Sequence, residues 1–227
     1  MDFGLIFTII EHIGVIAFAI SGALVAIDKE MDLLGVIILA FITSFGGGIT
    51  RDLILGLPIQ LFFTESFTSL IVVCLISSVL VLVFAMCFKR AFVKNEKMID
   101  SINNYIDAVG LGAFTVSGAK LAISVGYTAP FVPILMGVIA CVGGGMIRDM
   151  MLNDVPFVLR KRIYALAAAA GSALYYTLWY FEANETVAMV SGALVTILIR
   201  VLATIFKWNM PKAINFSKLR TDVDDNK

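Results

Sequence analysis

The sequence predicts an all-α integral membrane protein with seven transmembrane helices, arranged as two inverted three-helix repeats plus a seventh helix (3+3+1). Of its 227 residues, 60% are hydrophobic and 15% are charged, whereas soluble domains have about 45–50% apolar and about 25% charged residues. The apolar residues form blocks of roughly 19 to 25, the length of helix that crosses about 30 Å of hydrocarbon. A glycine-rich motif also occurs twice, which indicates an internal repeat.

The apolar blocks define the predicted spans and the organisation of the chain. The first repeat covers residues 1–90, a basic cytoplasmic linker 91–104, the second repeat 105–181, the seventh helix 186–207 and a polar cytoplasmic tail 208–227. No signal-peptide cleavage pattern accompanies the first apolar block, so we expect it to stay in the protein. The individual spans are predicted at 3–27, 33–57, 66–88, 105–126, 131–152, 163–181 and 187–206.

The basic residues predict the orientation in the membrane. If seven spans alternate, Lys29, the segments 89–97 and 160–162 and the tail from Lys207 all fall on one side, and the other side has at most Arg51. Cytoplasmic loops carry the excess of Lys and Arg. We therefore expect a multi-pass protein of the inner membrane with its N-terminus outside and its C-terminus in the cytoplasm. The formal net charge is zero, and no nucleic-acid partner is expected.

The internal repeat is defined by the motif GGGxxRD at residues 46–52 and 143–149, 97 residues apart. Upstream, the Ser-Gly-Ala segments at 21–23 and 117–119 match at an offset of 96, as do Glu11 and Asp107. A three-span unit enters the membrane from opposite sides in its two copies. Such inverted repeats are typical of channels and secondary transporters. The alternative is a duplication retained only for packing.

The two glycine triplets are the first candidate site. Three consecutive glycines weaken a helix, and broken backbone at membrane depth occurs where it is buried in protein or lines a water-filled cavity. We expect two breaks that face each other across the bundle. The alternative is a close-packed helix crossing without a break. The candidate pore or kink residues are Gly46, Gly47, Gly48, Gly143, Gly144 and Gly145.

Each triplet is followed by a charged pair, Arg51 with Asp52 and Arg148 with Asp149. Ionisable residues in spans usually face the bundle interior or a water-filled path. Neighbouring side chains on a helix point about 100° apart, so we expect each arginine to pair with another helix rather than with its own aspartate. The aspartates either contact ions or cap a half-helix that restarts after the glycines.

Two further basic residues, Lys120 and Arg200, lie about 9–10 Å inside their nearer membrane faces by helix rise. Both side chains are long enough to reach the membrane surface. The alternatives for each residue are therefore a position at the membrane interface, or a role in pore lining, gating or binding of lipid phosphate. The single histidine, His12, has no second ligand at helical spacing, so no metal site is expected. Motifs of hydrolases, metalloproteases and nucleotide-binding proteins are missing, which favours a protein that is not an enzyme and needs no cofactor.

With these motifs, the chain resembles the prokaryotic branch of the trimeric intracellular cation (TRIC) channel family, also known as the UPF0126 or glycine transporter family. The resemblance covers roughly residues 5 to 210. It implies a homotrimer with an hourglass pore in each protomer, lined partly by the second and fifth helices, that conducts monovalent cations, chiefly potassium. It also implies that the six glycines are kink positions and that the Arg-Asp pairs lie beside the conduction path.

Lys120 falls where animal members of that family have a basic residue associated with lipid phosphate and gating. Here the local sequence is Gly118-Ala119-Lys120-Leu121, without the Lys-Glu-Val of the animal proteins, so phosphoinositide binding is not carried over and an anionic bacterial lipid is left as the alternative ligand. The expected partners are therefore copies of the same chain, membrane lipids, and potassium or sodium ions. The competing function is a secondary transporter of glycine or another small solute, because inverted repeats suit both classes.

Overall fold

The computed structural model describes residues 3–57, 65–89, 95–160 and 163–208, and these residues form helices joined by short turns, with no β-strand among them. Residues 1–2, 58–64, 90–94, 161–162 and 209–227 lie outside the described residues, and with them the basic residues Arg90, Lys94, Lys161 and Arg162. The helices are α1 (Phe3–Asp28), α2 (Leu33–Ile54), α3 (Glu65–Cys87), α4 (Glu96–Ser124), α5 (Phe131–Met151), α6 (Phe157–Arg160), α7 (Tyr164–Tyr180) and α8 (Glu185–Ile205).

Six of the described helices, α1 to α5 and α8, are long and apolar enough to cross a membrane. The helix α7 lies within the predicted sixth span and has 17 residues, about 25 Å at 1.5 Å per residue. The chain is therefore an all-helical, multi-pass integral membrane protein. One boundary differs clearly from the sequence prediction, because α4 begins at Glu96 and takes in part of the predicted linker. Residues 96–104 contain neither glycine nor proline, so nothing in them interrupts a helix that extends beyond the apolar span.

The helix ends repeat with the same period as the sequence. Gly56 and Asn153, 97 residues apart, both have positive φ angles, 69° and 56°. After α2, the amide of Leu57 donates to the carbonyl of Asp52. After α5, the amide of Asp154 donates to the carbonyl of Asp149. In both turns, a backbone N–H that follows the helix thus donates to a carbonyl near the helix end that has no partner within the helix.

The two ends of the bundle are named after the helices that begin or finish there. At the N-terminal end, where α1 begins, Lys120 near the end of α4 contacts Glu185 at the start of α8. At the C-terminal end, where α8 finishes, Lys29 after α1 forms a 2.9 Å ion pair with Asp154 after α5. Between the ends, α1, α2, α4 and α5 form the centre of the bundle, α3 covers α1 and α2, α7 covers α4 and α5, and α8 packs against α4 and α7.

Candidate functional site

The glycine triplets lie where α2 crosses α5, and both helices continue through them without interruption. The expected break in each helix is wrong, and a close-packed glycine crossing describes the structure. A Cβ atom on Gly47 would overlap the carbonyl oxygen of Ala140, and one on Gly144 would overlap the carbonyl oxygen of Thr43. These contacts correspond to each other at the repeat offset of 97 residues. The glycines therefore let two backbones touch, which compensates for their weak helix propensity.

Within each triplet the third glycine has different surroundings. A Cβ on Gly48 would meet only the Arg51 guanidinium, at 3.9 Å from Nη2. A Cβ on Gly145 would meet the Arg148 Nη2 at 3.8 Å and the Tyr164 hydroxyl at 3.9 Å. These are ordinary van der Waals distances. The first two glycines of each triplet serve the crossing, and the third faces space beside an arginine.

Each arginine pairs with the aspartate that follows it, contrary to the sequence prediction. The Nε of Arg51 donates to Asp52 Oδ1 at 2.7 Å, and the Nε of Arg148 donates to Asp149 Oδ1 at 2.9 Å. Although neighbouring side chains leave the helix about 100° apart, the arginine side chain is long enough to bend back to the adjacent carboxylate. Since the helices are continuous, neither aspartate caps a restarted half-helix. Asp149 Oδ2 instead accepts the backbone N–H of Phe157, the first residue of α6, at 2.7 Å.

A buried polar cluster surrounds Arg148 on the C-terminal side of the crossing. Its Nη1 donates to Ser21 Oγ of α1 at 3.2 Å. The carboxylate of Asp107, on α4, interacts with the hydroxyl of Tyr164 and electrostatically with Arg148. Because isolated buried charges are costly, this cluster of opposite charges and hydroxyls is what makes the burial of Arg148 and Asp107 possible. We call it the C-side cluster: Ser21, Asp107, Arg148, Asp149 and Tyr164.

A second polar cluster lies on the N-terminal side of the crossing, built from the repeat counterparts of the first. Ser117 Oγ donates to Glu11 Oε1 at 2.9 Å, and Glu11 interacts electrostatically with Arg51 and Asp52. Ser117 corresponds to Ser21 and Glu11 to Asp107, both at an offset of 96 residues. We call it the N-side cluster: Glu11, Arg51, Asp52 and Ser117. One protomer thus carries two related polar clusters, one on each side of the glycine crossing.

Lys120 and Arg200 occupy opposite ends of the bundle, with unlike surroundings. Lys120 Nζ lies 3.6 Å from Glu185 Oε1, and the two side chains are 16% and 36% exposed. Arg200 is only 2% exposed, and its guanidinium carbon lies 5.0 Å from the ring centres of both Phe157 and Tyr164. The alternative of a surface position is therefore wrong for Arg200, whereas lipid binding and gating stay predictions.

Ser21, Ser117 and Tyr164 complete these clusters and are not among the site residues predicted from the sequence. The offset of 96 residues that pairs Ser21 with Ser117, and Glu11 with Asp107, was the available signal, since polar residues that recur at membrane depth point to an interior face. Tyr164 gave no such signal. Among the described residues, no group of three His, Cys, Asp or Glu side chains is arranged to hold a metal ion.

Known proteins resemble this chain in sequence. The model of a family described as glycine transporter matches residues 8–86 and 104–180. The UPF0126 membrane protein YvgT of Bacillus subtilis is 34% identical over 203 residues, which cover 89% of this chain and 94% of YvgT. The UPF0126 inner membrane protein YadS of Escherichia coli is 35% identical over 202 residues, 88% of this chain and 92% of YadS.

Solved structures resemble this fold over nearly its whole length. A structure described for conductance through TRIC cation channels superposes with a TM-score of 0.76 at 37% identity, covering 95% of this chain and 98% of that one. The trimeric intracellular cation channel orthologue from Rhodobacter sphaeroides superposes with a TM-score of 0.79 at 32% identity, covering 89% and 98%. Sequence and fold agree, and the chain belongs to the family of the TRIC cation channels and UPF0126 membrane proteins.

Proposed function

We propose that this protein is a potassium-permeable cation channel, with one pore inside each protomer of a homotrimer. The likeness to TRIC cation channels over nearly the whole chain supports the channel class. The observation that carries the proposal is the pair of polar clusters on the two sides of the glycine crossing. Carboxylates and hydroxyls on both sides give a hydrated cation favourable partners along a path through one protomer.

The proposed architecture is the 3+3+1 arrangement, with α7 as the sixth of seven spans. The reciprocal contacts of Gly47 with Ala140 and of Gly144 with Thr43 support an inverted relation between the repeats, because a two-fold axis exchanges such contacts. We place the N-terminal end of the bundle outside the cell and the C-terminal end in the cytoplasm, following the distribution of basic residues.

The proposed path passes the third glycine of each triplet rather than the crossing itself. At Gly47 and Gly144 the backbones touch and leave no room. Gly48 and Gly145 face space beside Arg51 and Arg148. Each arginine is held by its own aspartate, so its charge is largely neutralised locally and repels a passing cation less than a free arginine would.

A second candidate function is a secondary transporter of glycine or a similarly small solute. The description of the matching family model as glycine transporter favours it. Transporters alternate access around a midplane site between inverted repeats, and here the glycine crossing is the contact between the two repeats. The two candidates differ in one requirement, because a channel needs a continuous wet path whose ions leave easily.

The location of the path is tested by thiol accessibility. On a background without Cys74, Cys87 and Cys141, cysteines at Gly48 and Gly145 should react with a water-soluble thiol reagent in liposomes, and the reaction should reduce potassium efflux. Cysteine at Ile76, an exposed apolar position of α3, is the matched control and should stay unreacted. If neither glycine position reacts while potassium efflux is normal, the path runs elsewhere.

The function itself is tested by flux in the same liposomes. A channel should release potassium down its gradient without any coupled solute, and glycine should not exchange across the membrane. Saturable glycine uptake without passive potassium efflux would overturn the channel proposal in favour of the transporter.

A further inference from the structure

The helix outside the two repeats, α8, carries charge at both ends. Its sequence contains two charged residues, Glu185 at its first position and Arg200 near its last turn. They are about 22 Å apart at 1.5 Å per residue. The helix α8 has no counterpart in the repeats. The charges of Glu185 and Arg200 therefore have no equivalents elsewhere in the protomer.

At the N-terminal end Glu185 adds a carboxylate beside Lys120. The two charged groups are 3.6 Å apart, and both side chains are partly exposed. Lys120 also lies over the ring of Phe7, 4.3 Å from its centre, and it interacts electrostatically with Glu11 of the N-side cluster. Glu185 therefore offsets a lysine that would otherwise make this end of the path more positive.

At the C-terminal end Arg200 adds a cation whose charge is not cancelled by an ion pair. Among the described residues, no carboxylate lies within 4.0 Å of it. Its Nη1 donates to Thr204 Oγ1 at 3.3 Å, but Nε and Nη2 are buried without a hydrogen-bond partner. It interacts electrostatically with Asp107 of the C-side cluster. The flanking rings of Phe157 and Tyr164 hold the guanidinium beside that cluster rather than at the surface.

We propose that α8 makes the conduction path electrically asymmetric, so that each protomer passes cations more readily from its N-terminal end to its C-terminal end than in reverse. This inference rests on the proposed channel function. Because Glu185 neutralises Lys120, this pair does not repel cations at the entrance on its side, whereas Arg200 lowers the cation concentration at the other entrance. In the proposed orientation this is inward rectification.

The expected size follows from the electrostatics of a wet path. A unit charge about 10 Å from ions in water changes their local concentration by about twofold, and at about 0.1 M salt the screening length is also about 10 Å. Screening over one such length reduces the effect to about 1.3-fold, so single-channel currents at equal positive and negative voltages in symmetrical potassium chloride at about 0.1 M should differ by about 1.3-fold or more. Random insertion of channels into a planar bilayer changes only the sign of the difference, and native membrane patches give its direction.

Charge variants test the assignment to α8. Arg200→Gln should bring the two currents closer together, whereas Arg200→Lys, which keeps the charge, should preserve their ratio. Lys207→Gln removes an exposed charge at the same end of the bundle and should leave the ratio unchanged. If Arg200→Gln fails to assemble, Glu185→Gln tests the same asymmetry from the other end, with the exposed Glu182→Gln as its control.

Salt gives a test that needs no variant. At about 1 M salt the screening length falls to about 3 Å, so the current ratio should approach one. Wild-type single channels that are ohmic at low salt would overturn the inference and leave the channel function standing. Equal ratios for Arg200→Gln and Arg200→Lys would also overturn it. Absence of any current would refute the channel function, and the inference with it.

Discussion

Neighbouring glycines on α2 should respond in opposite ways to the same added methyl group. A Cβ on Gly47 would overlap the Ala140 carbonyl oxygen and lie 3.1 Å from the amide nitrogen of Gly144. A Cβ on Gly48 meets only Arg51 Nη2, at 3.9 Å. Both alanine variants gain the same helix propensity, about 1 kcal/mol, so this contribution cancels in their comparison. The remaining difference is the cost of forcing two backbones apart, about 1–3 kcal/mol for overpacking.

The assay is thermal unfolding of the purified variants under identical lipid and detergent conditions. Gly47→Ala should unfold at a lower temperature than Gly48→Ala, by about 2–4 °C for each kcal/mol. Gly144→Ala and Gly145→Ala form the corresponding pair on α5 and should show the same order. Equal midpoints within each pair, or a lower midpoint for the third glycine, would refute the close-packed crossing.

Three other predictions concern charge and assembly. Arg148→Met should destabilise the protein by about 3–5 kcal/mol because it leaves Asp149 buried without its partner. Lys29→Met, which breaks an exposed ion pair, should cost under about 1 kcal/mol. Equal midpoints of thermal unfolding for the two variants would contradict this prediction. A double-mutant cycle on Lys120 and Glu185 should give a coupling of at most about 1 kcal/mol, since both side chains are partly exposed, and a larger value would mean that the pair is shielded from solvent. The protein mass in detergent, corrected for bound detergent, should be near three times 24.6 kDa, and a monomer that persists in lipid nanodiscs would contradict the homotrimer.

The sequence was sufficient for the secondary structure and the repeat because both are carried by local and periodic signals. Apolar length alone placed a helix in each predicted span. The same information could not decide what Gly46 to Gly48 do, because a glycine triplet weakens a helix and also permits close approach of another backbone. The deciding contacts, with Ala140 and Gly144, come from a helix about 100 residues later in the chain.

The pairing of the arginines was mispredicted for a related reason. The angle between neighbouring positions on a helix describes Cα–Cβ directions, whereas Nε of Arg51 lies several bonds away and reaches Asp52 Oδ1. A buried arginine needs a carboxylate as its ion-pair partner. The aspartate that follows it in the chain can supply one without any rearrangement of the helices. The hydrogen bonds from Arg148 to Ser21 and from Ser117 to Glu11 depend on tertiary packing, which the repeat offset only hinted at.

The measurement that tests the channel function most directly is single-channel recording of the purified protein in planar bilayers with potassium chloride on both sides. The proposed channel should give discrete current steps that reverse at zero voltage in symmetrical salt, and the reversal potential should shift toward the potassium equilibrium potential when a gradient is imposed. Glycine added to one side should leave the steps unchanged. Bilayers that hold assembled protein but show no steps, while the same preparation accumulates glycine in liposomes, would contradict the channel and identify a transporter.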